Sequence, residues 1–129
     1  MDPSVGERVE YSLKELTGND WENAWHSLVE MGPGALPYII RAFEQGCDRS
    51  VALNLILVVN EYRTSAALPF LASLLLNTDP GIWKAALDGI VTIGGTAAAE
   101  CLRGISETLD AEILPWIQEA LAQIKESDN

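Results

Sequence analysis

The sequence has few of the residues on which most enzyme active sites depend. Its 129 residues include a single histidine, His26, and two cysteines, Cys47 and Cys101, which lie far apart. A catalytic triad or a histidine-based metal site needs several such side chains together, so we predict no enzyme activity, no cofactor and no metal. We expect the two thiols to be reduced and buried, although spacing alone leaves a single disulfide between them open.

Basic residues are also scarce. Eight lysines and arginines stand against 19 aspartates and glutamates, which gives a formal net charge of -11. Nucleic acids and anionic membranes are bound through lysine and arginine, and we therefore predict neither as a partner. The acidic excess fits either a soluble surface or a basic protein partner, and the composition leaves both open.

Long apolar runs are missing as well. The longest, near residues 51–59, is interrupted by Asn54 and is too short to span a bilayer. The first seven residues have neither the basic start nor the apolar stretch of a signal peptide, so we expect a cytoplasmic protein. Apolar residues nevertheless make up 48% of the chain, which is enough to form the core of one ordinary domain.

What the sequence does contain is a repeat of about 31 residues. Its clearest copy ends in a segment whose apolar residues recur with the period of an α-helix. These residues are Ile82, Ala85, Ala86, Gly89, Ile90 and Ile93. Asp79 is placed to cap this helix, Pro80 fits its first turn, and Gly94-Gly95 is a stop signal.

The same apolar pattern returns when it is shifted along the chain. It falls on residues 113–124 after a shift of 31, on residues 51–62 after a shift of 31 in the other direction, and on residues 21–32 after twice that shift. We therefore predict an all-α fold of about eight helices within one domain, residues 1–129. The four predicted helical hairpins cover approximately residues 4–32, 35–63, 66–94 and 96–125.

The stretch from Ala67 to Gly95 resembles a HEAT repeat of the short bacterial type, similar to the repeats named after phycobilisome lyases. The Leu68-Pro69 opening, the Asp79-Pro80 turn, the run from Ile82 to Ala86 and the ending Ile93-Gly94 carry this resemblance. It implies a right-handed α-solenoid of about four HEAT-like hairpins, with a protein-binding role and no catalytic residue. The family usually has a basic residue where this chain has Trp83, whereas Lys84 keeps the next basic position.

The second helices of such hairpins are expected to line one face. On each second helix, the repeated apolar residues form a stripe that we expect to face the core. Three of the four tryptophans lie in a row directly beside this stripe, and the neighbouring row contains more charged residues. Interface hot spots are enriched in tryptophan, so we predict that this face binds a partner. The candidate residues are Trp21, Glu22, Trp25, His26, Glu30, Leu53, Leu57, Glu61, Trp83 and Asp88. In the alternative interpretation, the apolar members pack against adjacent helices and His26 is an ordinary surface residue.

Small, acidic, cytoplasmic domains of this kind resemble bacterial immunity proteins, which occlude a basic toxin such as a nuclease or a deaminase. The resemblance implies that the carboxylates of the candidate set speed the encounter and that its tryptophans slow dissociation. The alternative is an adaptor, a regulatory subunit or an assembly chaperone, closer to the phycobilisome-lyase relatives. A neutral partner surface and binding that is insensitive to salt would favour that alternative.

Overall fold

The computed structural model of the chain describes residues 4–16 and 18–124, which form eight α-helices and no β-strand. The helices are α1 (Val5–Glu15), α2 (Trp21–Met31), α3 (Leu36–Gln45), α4 (Arg49–Tyr62), α5 (Leu68–Leu74), α6 (Pro80–Ile93), α7 (Gly95–Ser106) and α8 (Leu114–Gln123). The all-α class and the predicted number of helices are thus confirmed. Residue 125, the predicted end of the fourth hairpin, lies outside the described residues.

The chain divides into two compact units, Met1–Tyr62 and Arg63–Asn129. In the first unit α1 packs on α2 and α3 packs on α4, while α1 also contacts α3 and α2 contacts α4. The second unit repeats this scheme with α5, α6, α7 and α8 in the same order. Each unit is therefore a pair of stacked helical hairpins, and the division falls between the second and third predicted hairpins.

The core of the first unit is built mainly around α4, whose apolar residues surround most of the helix. Leu55, Ile56 and Val59 are fully buried, which is consistent with contacts from α4 to both α2 and α3. Leu28 of α2 is also fully buried. Its main-chain carbonyl oxygen accepts a hydrogen bond of 2.6 Å from the hydroxyl of Tyr62.

The core of the second unit uses the apolar face predicted for α6. Ile82, Ala86, Gly89 and Ile90 are buried, while Ala85 and Ile93 at the edges of the stripe are half-buried. The neighbouring helices contribute fully or almost fully buried side chains to this unit. Those side chains are Leu71 of α5, Leu102 of α7 and Ile117 of α8. The helical periodicity of the sequence therefore identified the buried side of α6 correctly.

The second helices of the first three hairpins, α2, α4 and α6, end with similar backbone geometry. The Asp79 carboxylate accepts a hydrogen bond of 2.9 Å from the amide of Gly81, and Pro80 is the first residue of α6, as predicted. Gly94 ends α6 with φ 65° and ψ -169°, and Gly32 ends α2 with φ 75° and ψ -173°. Midway between them in the sequence, Arg63 has φ 49° and follows α4. The repeat thus places a residue with a positive φ directly after each of these three helices.

Within residues 4–16 and 18–124, no helix combines the length and the apolar character that a membrane crossing requires.

Candidate functional site

The first unit has an open groove between its two second helices. Four residues of the first half of α2, at positions that face one way on a helix, meet two residues of α4. The groove has a volume of about 310 Å³ and is lined by Trp21, Glu22, Trp25, His26, Asn54 and Leu57. We call it the tryptophan groove. It brings together five of the ten residues predicted to bind a partner.

Large apolar side chains remain accessible to solvent in the tryptophan groove. Trp21 is 42% exposed and Leu57 is 46% exposed. Trp25 is half-buried, and its ring meets His26 edge to face, with ring centroids 5.2 Å apart and an interplanar angle of 83°. Trp21 and Leu57 also line an adjoining groove of the same unit, to which Leu53 belongs. Leu53 is thus a neighbour of the tryptophan groove rather than part of its lining.

Two predicted glutamates of the first unit lie elsewhere. Glu30 lines a different groove, together with Arg8, Tyr11 and Ser27 of α1 and α2. Glu61 is exposed near the end of α4. Their charge contributes to the acidic surface of this unit, but they are not part of the lining of the tryptophan groove.

The second unit has a groove at the corresponding place, between α6 and α8, with a volume of about 300 Å³. We call it the lysine groove, because Lys84 lies over the indole rings of two tryptophans. The Lys84 ammonium is 4.6 Å from the ring centroid of Trp116 and 5.5 Å from that of Trp83. Asp88, predicted as a binding residue, lines this groove together with Glu119.

Trp83, a predicted partner-binding residue, is buried in the second unit. Trp83 is only 8% exposed, because the ring of Trp116 packs edge to face against it, with centroids 5.6 Å apart. Trp116 itself is 44% exposed and is the accessible tryptophan of the second unit. The residue equivalent to Trp116 in the first unit is Asn54, whose smaller side chain leaves Trp21 uncovered.

Sequence reasoning missed three residues that shape the grooves. Lys84, Trp116 and Glu119 line the lysine groove but are not among the ten predicted binding residues. A comparison of the two units would have found them, because a shift of 62 residues places all three on residues of the tryptophan groove. Asn54, which interrupts the longest apolar run of the sequence, is half-buried and lines the tryptophan groove.

The cysteines are free thiols. Cys101 is half-buried and its sulfur donates toward the carbonyl oxygen of Leu68 at 3.9 Å, whereas Cys47 is exposed, contrary to the expected burial. Partial burial of the thiol, and then the Asp48 carboxylate, raise the pKa of Cys47, and burial raises that of Cys101. Because the thiolate is the nucleophile, both cysteines are poorly activated. Within the described residues, no three histidine, cysteine or acidic side chains are grouped as a metal site would require.

No protein-family model matches this chain, and no curated protein matches it in sequence. The resemblance to short HEAT repeats therefore remains a prediction that is carried by the residues from Ala67 to Gly95.

Proposed function

We propose that this chain is a non-catalytic protein-binding domain of the HEAT-like type, the right-handed α-solenoid predicted from its repeat. The observation that carries the proposal is the tryptophan groove, where Trp21 and Leu57 are exposed beside the carboxylate of Glu22. Transferring a large apolar side chain from water into an interface is worth roughly 1.5–3 kcal/mol. An exposed aromatic groove with a charged rim is typical of a protein-binding site.

The charge of the chain supports a basic partner. The formal net charge is -11, and Glu22, Glu30 and Glu61 are all exposed on the first unit. Complementary charge mainly raises the association rate, while buried aromatic contacts slow dissociation. An acidic surface with accessible tryptophans combines both effects.

In its most specific form, the proposal is that the chain is a bacterial immunity protein of the cytoplasm, which binds and neutralises a basic toxin. A toxin that acts on nucleic acid, such as a nuclease or a deaminase, needs a basic surface to attract its substrate. An acidic protein that covers this surface competes with the substrate for the same charges. Neutralisation then requires no catalysis by the inhibitor.

The test is purification of this chain together with the product of the neighbouring gene, followed by measurement of the Kd and of the partner's activity. We expect a basic partner whose activity is lost in the complex. Reversing the charge at Glu22 and Glu30 to lysine should weaken binding by about tenfold or more. Glu10→Lys with Glu44→Lys is the matched control, because both glutamates are exposed on first helices.

Two results would contradict parts of this proposal. A neutral partner, bound equally well by the charge-reversed variant, would exclude the immunity role and favour an adaptor, a regulatory subunit or an assembly chaperone. Hydrolase or deaminase activity in the isolated chain that is lost in His26→Ala would contradict the non-catalytic role.

A further inference from the structure

The tryptophan groove and the lysine groove occupy equivalent positions in their units. A shift of 62 residues relates five pairs of lining residues. The pairs are Glu22 and Lys84, Trp25 and Leu87, His26 and Asp88, Asn54 and Trp116, and Leu57 and Glu119. The two units therefore present one kind of groove with two different linings.

In the second unit, the protein supplies a cation to this groove from its own chain. The Lys84 ammonium lies within 6 Å of the ring centroids of Trp83 and Trp116, where the electron-rich faces of indoles attract positive charge. The carboxylates of Asp88 and Glu119 line the same groove. The lysine groove thus shows that this scaffold can hold a basic side chain over two indoles, in a groove that acidic side chains also line.

In the first unit, the corresponding position has the opposite charge. Glu22 stands where the second unit has Lys84, while Trp21 stands where it has Trp83, and Trp25 adds a further indole. The tryptophan groove therefore keeps the aromatic surface and provides a carboxylate in place of the cation. A basic group from another molecule would meet both features at once.

We infer that the tryptophan groove binds an arginine side chain of the partner protein, in the place that Lys84 takes in the lysine groove. Arginine fits this lining better than lysine, because its planar guanidinium stacks on an indole and pairs with a carboxylate through two hydrogen bonds. This inference rests on the proposed function, since it names the residue type by which the basic partner is recognised.

The first experiment uses a defined probe, a blocked tetra-arginine peptide. Its binding is followed by NMR through the side-chain N–H signals of the four tryptophans, each assigned from a Trp→Phe variant. We expect the Trp21 signal to shift, and the citrulline peptide, which lacks the charge but keeps the shape, to bind about tenfold more weakly. Equal binding of the two peptides, or tighter binding of tetra-lysine, would overturn the inference.

The second experiment exchanges the chemistry of the two grooves. Glu22→Lys places a cation of the chain itself in the tryptophan groove, and we expect it to weaken tetra-arginine binding by about tenfold. Glu10→Lys changes the net charge equally at an exposed position of α1 and should weaken binding by less than about twofold. An unchanged affinity in Glu22→Lys would overturn the inference.

The reciprocal variant is Lys84→Gln, which removes the cation from the lysine groove. We expect tetra-arginine to bind there as well, with new shifts of the Trp83 and Trp116 signals. Absence of these shifts in the folded variant would overturn the equivalence of the two grooves.

The inference and the proposed function fail in different ways. If the cognate partner binds Glu22→Lys and Trp21→Ala as tightly as the wild type, the arginine inference is wrong and the proposed function stands. If no basic protein binds the wild type while tetra-arginine still selects the tryptophan groove, the proposed function is wrong and the inference about the groove stands.

Discussion

At the residue scale, Tyr62 joins the end of α4 to the end of α2. Its hydroxyl donates to the carbonyl oxygen of Leu28, in the last turn of α2, where carbonyl groups lack a partner within their own helix. Burial of the phenol raises the pKa of Tyr62 from its ordinary value of 10 to about 12. The folded state thus favours the neutral form of this side chain.

Tyr62→Phe should lower the free energy of unfolding at neutral pH by about 1 kcal/mol, because it removes this hydrogen bond. Because folding raises the pKa of Tyr62, the stability that the neutral phenol contributes is fully present below pH 10. This stability is lost as the pH rises through about 12. The difference between wild type and variant should therefore shrink across this window. Urea denaturation of both proteins at pH 8 and at several points between pH 10 and 12 measures this difference in the free energy of unfolding. A difference that stays constant over this range would contradict the raised pKa of Tyr62.

Gly32 illustrates a backbone requirement at the same scale. With φ 75° and ψ -173°, it lies in a region that only glycine adopts readily. Apart from its two chain neighbours, no residue has a heavy atom within 4 Å of a Cβ added at this position, so the Cβ of an alanine would meet no obstacle from the rest of the fold.

Gly32→Ala should therefore lower the free energy of unfolding by about 1–3 kcal/mol through backbone strain alone. Gly34→Ala is a close control, because a Cβ there also meets nothing within 4 Å and the φ of Gly34 is not in the left-handed range. Thermal or chemical denaturation of both variants gives the comparison. Similar stabilities of the two variants would show that the backbone angle at Gly32 is not the cause.

At the scale of the element, α6 is the helix whose ends were read most completely from the sequence. The Asp79 carboxylate accepts from the amide of Gly81, Pro80 begins the helix, and Gly94 ends it. These signals act within a few residues of the chain, so they do not depend on the packing of the unit. That is why they could be predicted.

Asp79→Ala should cost about 1 kcal/mol of stability, because it leaves an amide at the start of α6 without its acceptor. Asp79→Asn keeps an oxygen at the same distance from the backbone and should retain most of the stability. Equilibrium unfolding in urea distinguishes the two substitutions. If both variants are as stable as the wild type, the cap contributes nothing measurable.

The helix α4 shows where reading a single element fails. Its apolar residues lie on nearly all sides, and no stripe indicates which of them remains accessible. Val51, Leu55 and Ile56 are buried, while Leu57, which lines the tryptophan groove beside α2, is 46% exposed. Which side of α4 is accessible depends on where its two neighbouring helices pack, and the periodicity of the α4 sequence carries no information about that.

At the scale of the whole molecule, the charge of -11 acts on the encounter with a partner. We expect the association rate with a basic partner to fall by about tenfold between 50 and 500 mM salt, because salt screens exposed charges. The dissociation rate should change much less, since it depends on buried contacts. Stopped-flow mixing over this range tests both. An association rate independent of salt would favour the adaptor alternative.

The sequence by itself determined the all-α class, the number of helices, and the buried side and both ends of α6. Each of these depends on residues close together in the chain, and the repeat of about 31 residues shows them several times. Five members of the tryptophan groove were also among the candidates taken from the repeat, four of them on one face of α2 and the fifth, Leu57, on α4.

Only the tertiary structure decided which tryptophans are accessible. Trp21 and Trp83 occupy the same position of the repeat, yet Trp21 is 42% exposed and Trp83 is 8% exposed. The difference arises on the facing helix, where Asn54 leaves the indole open and Trp116 covers it. The exposure of each tryptophan depends on the size of a side chain on the facing helix, which is far away in the sequence. The periodicity of one helix does not reveal that size.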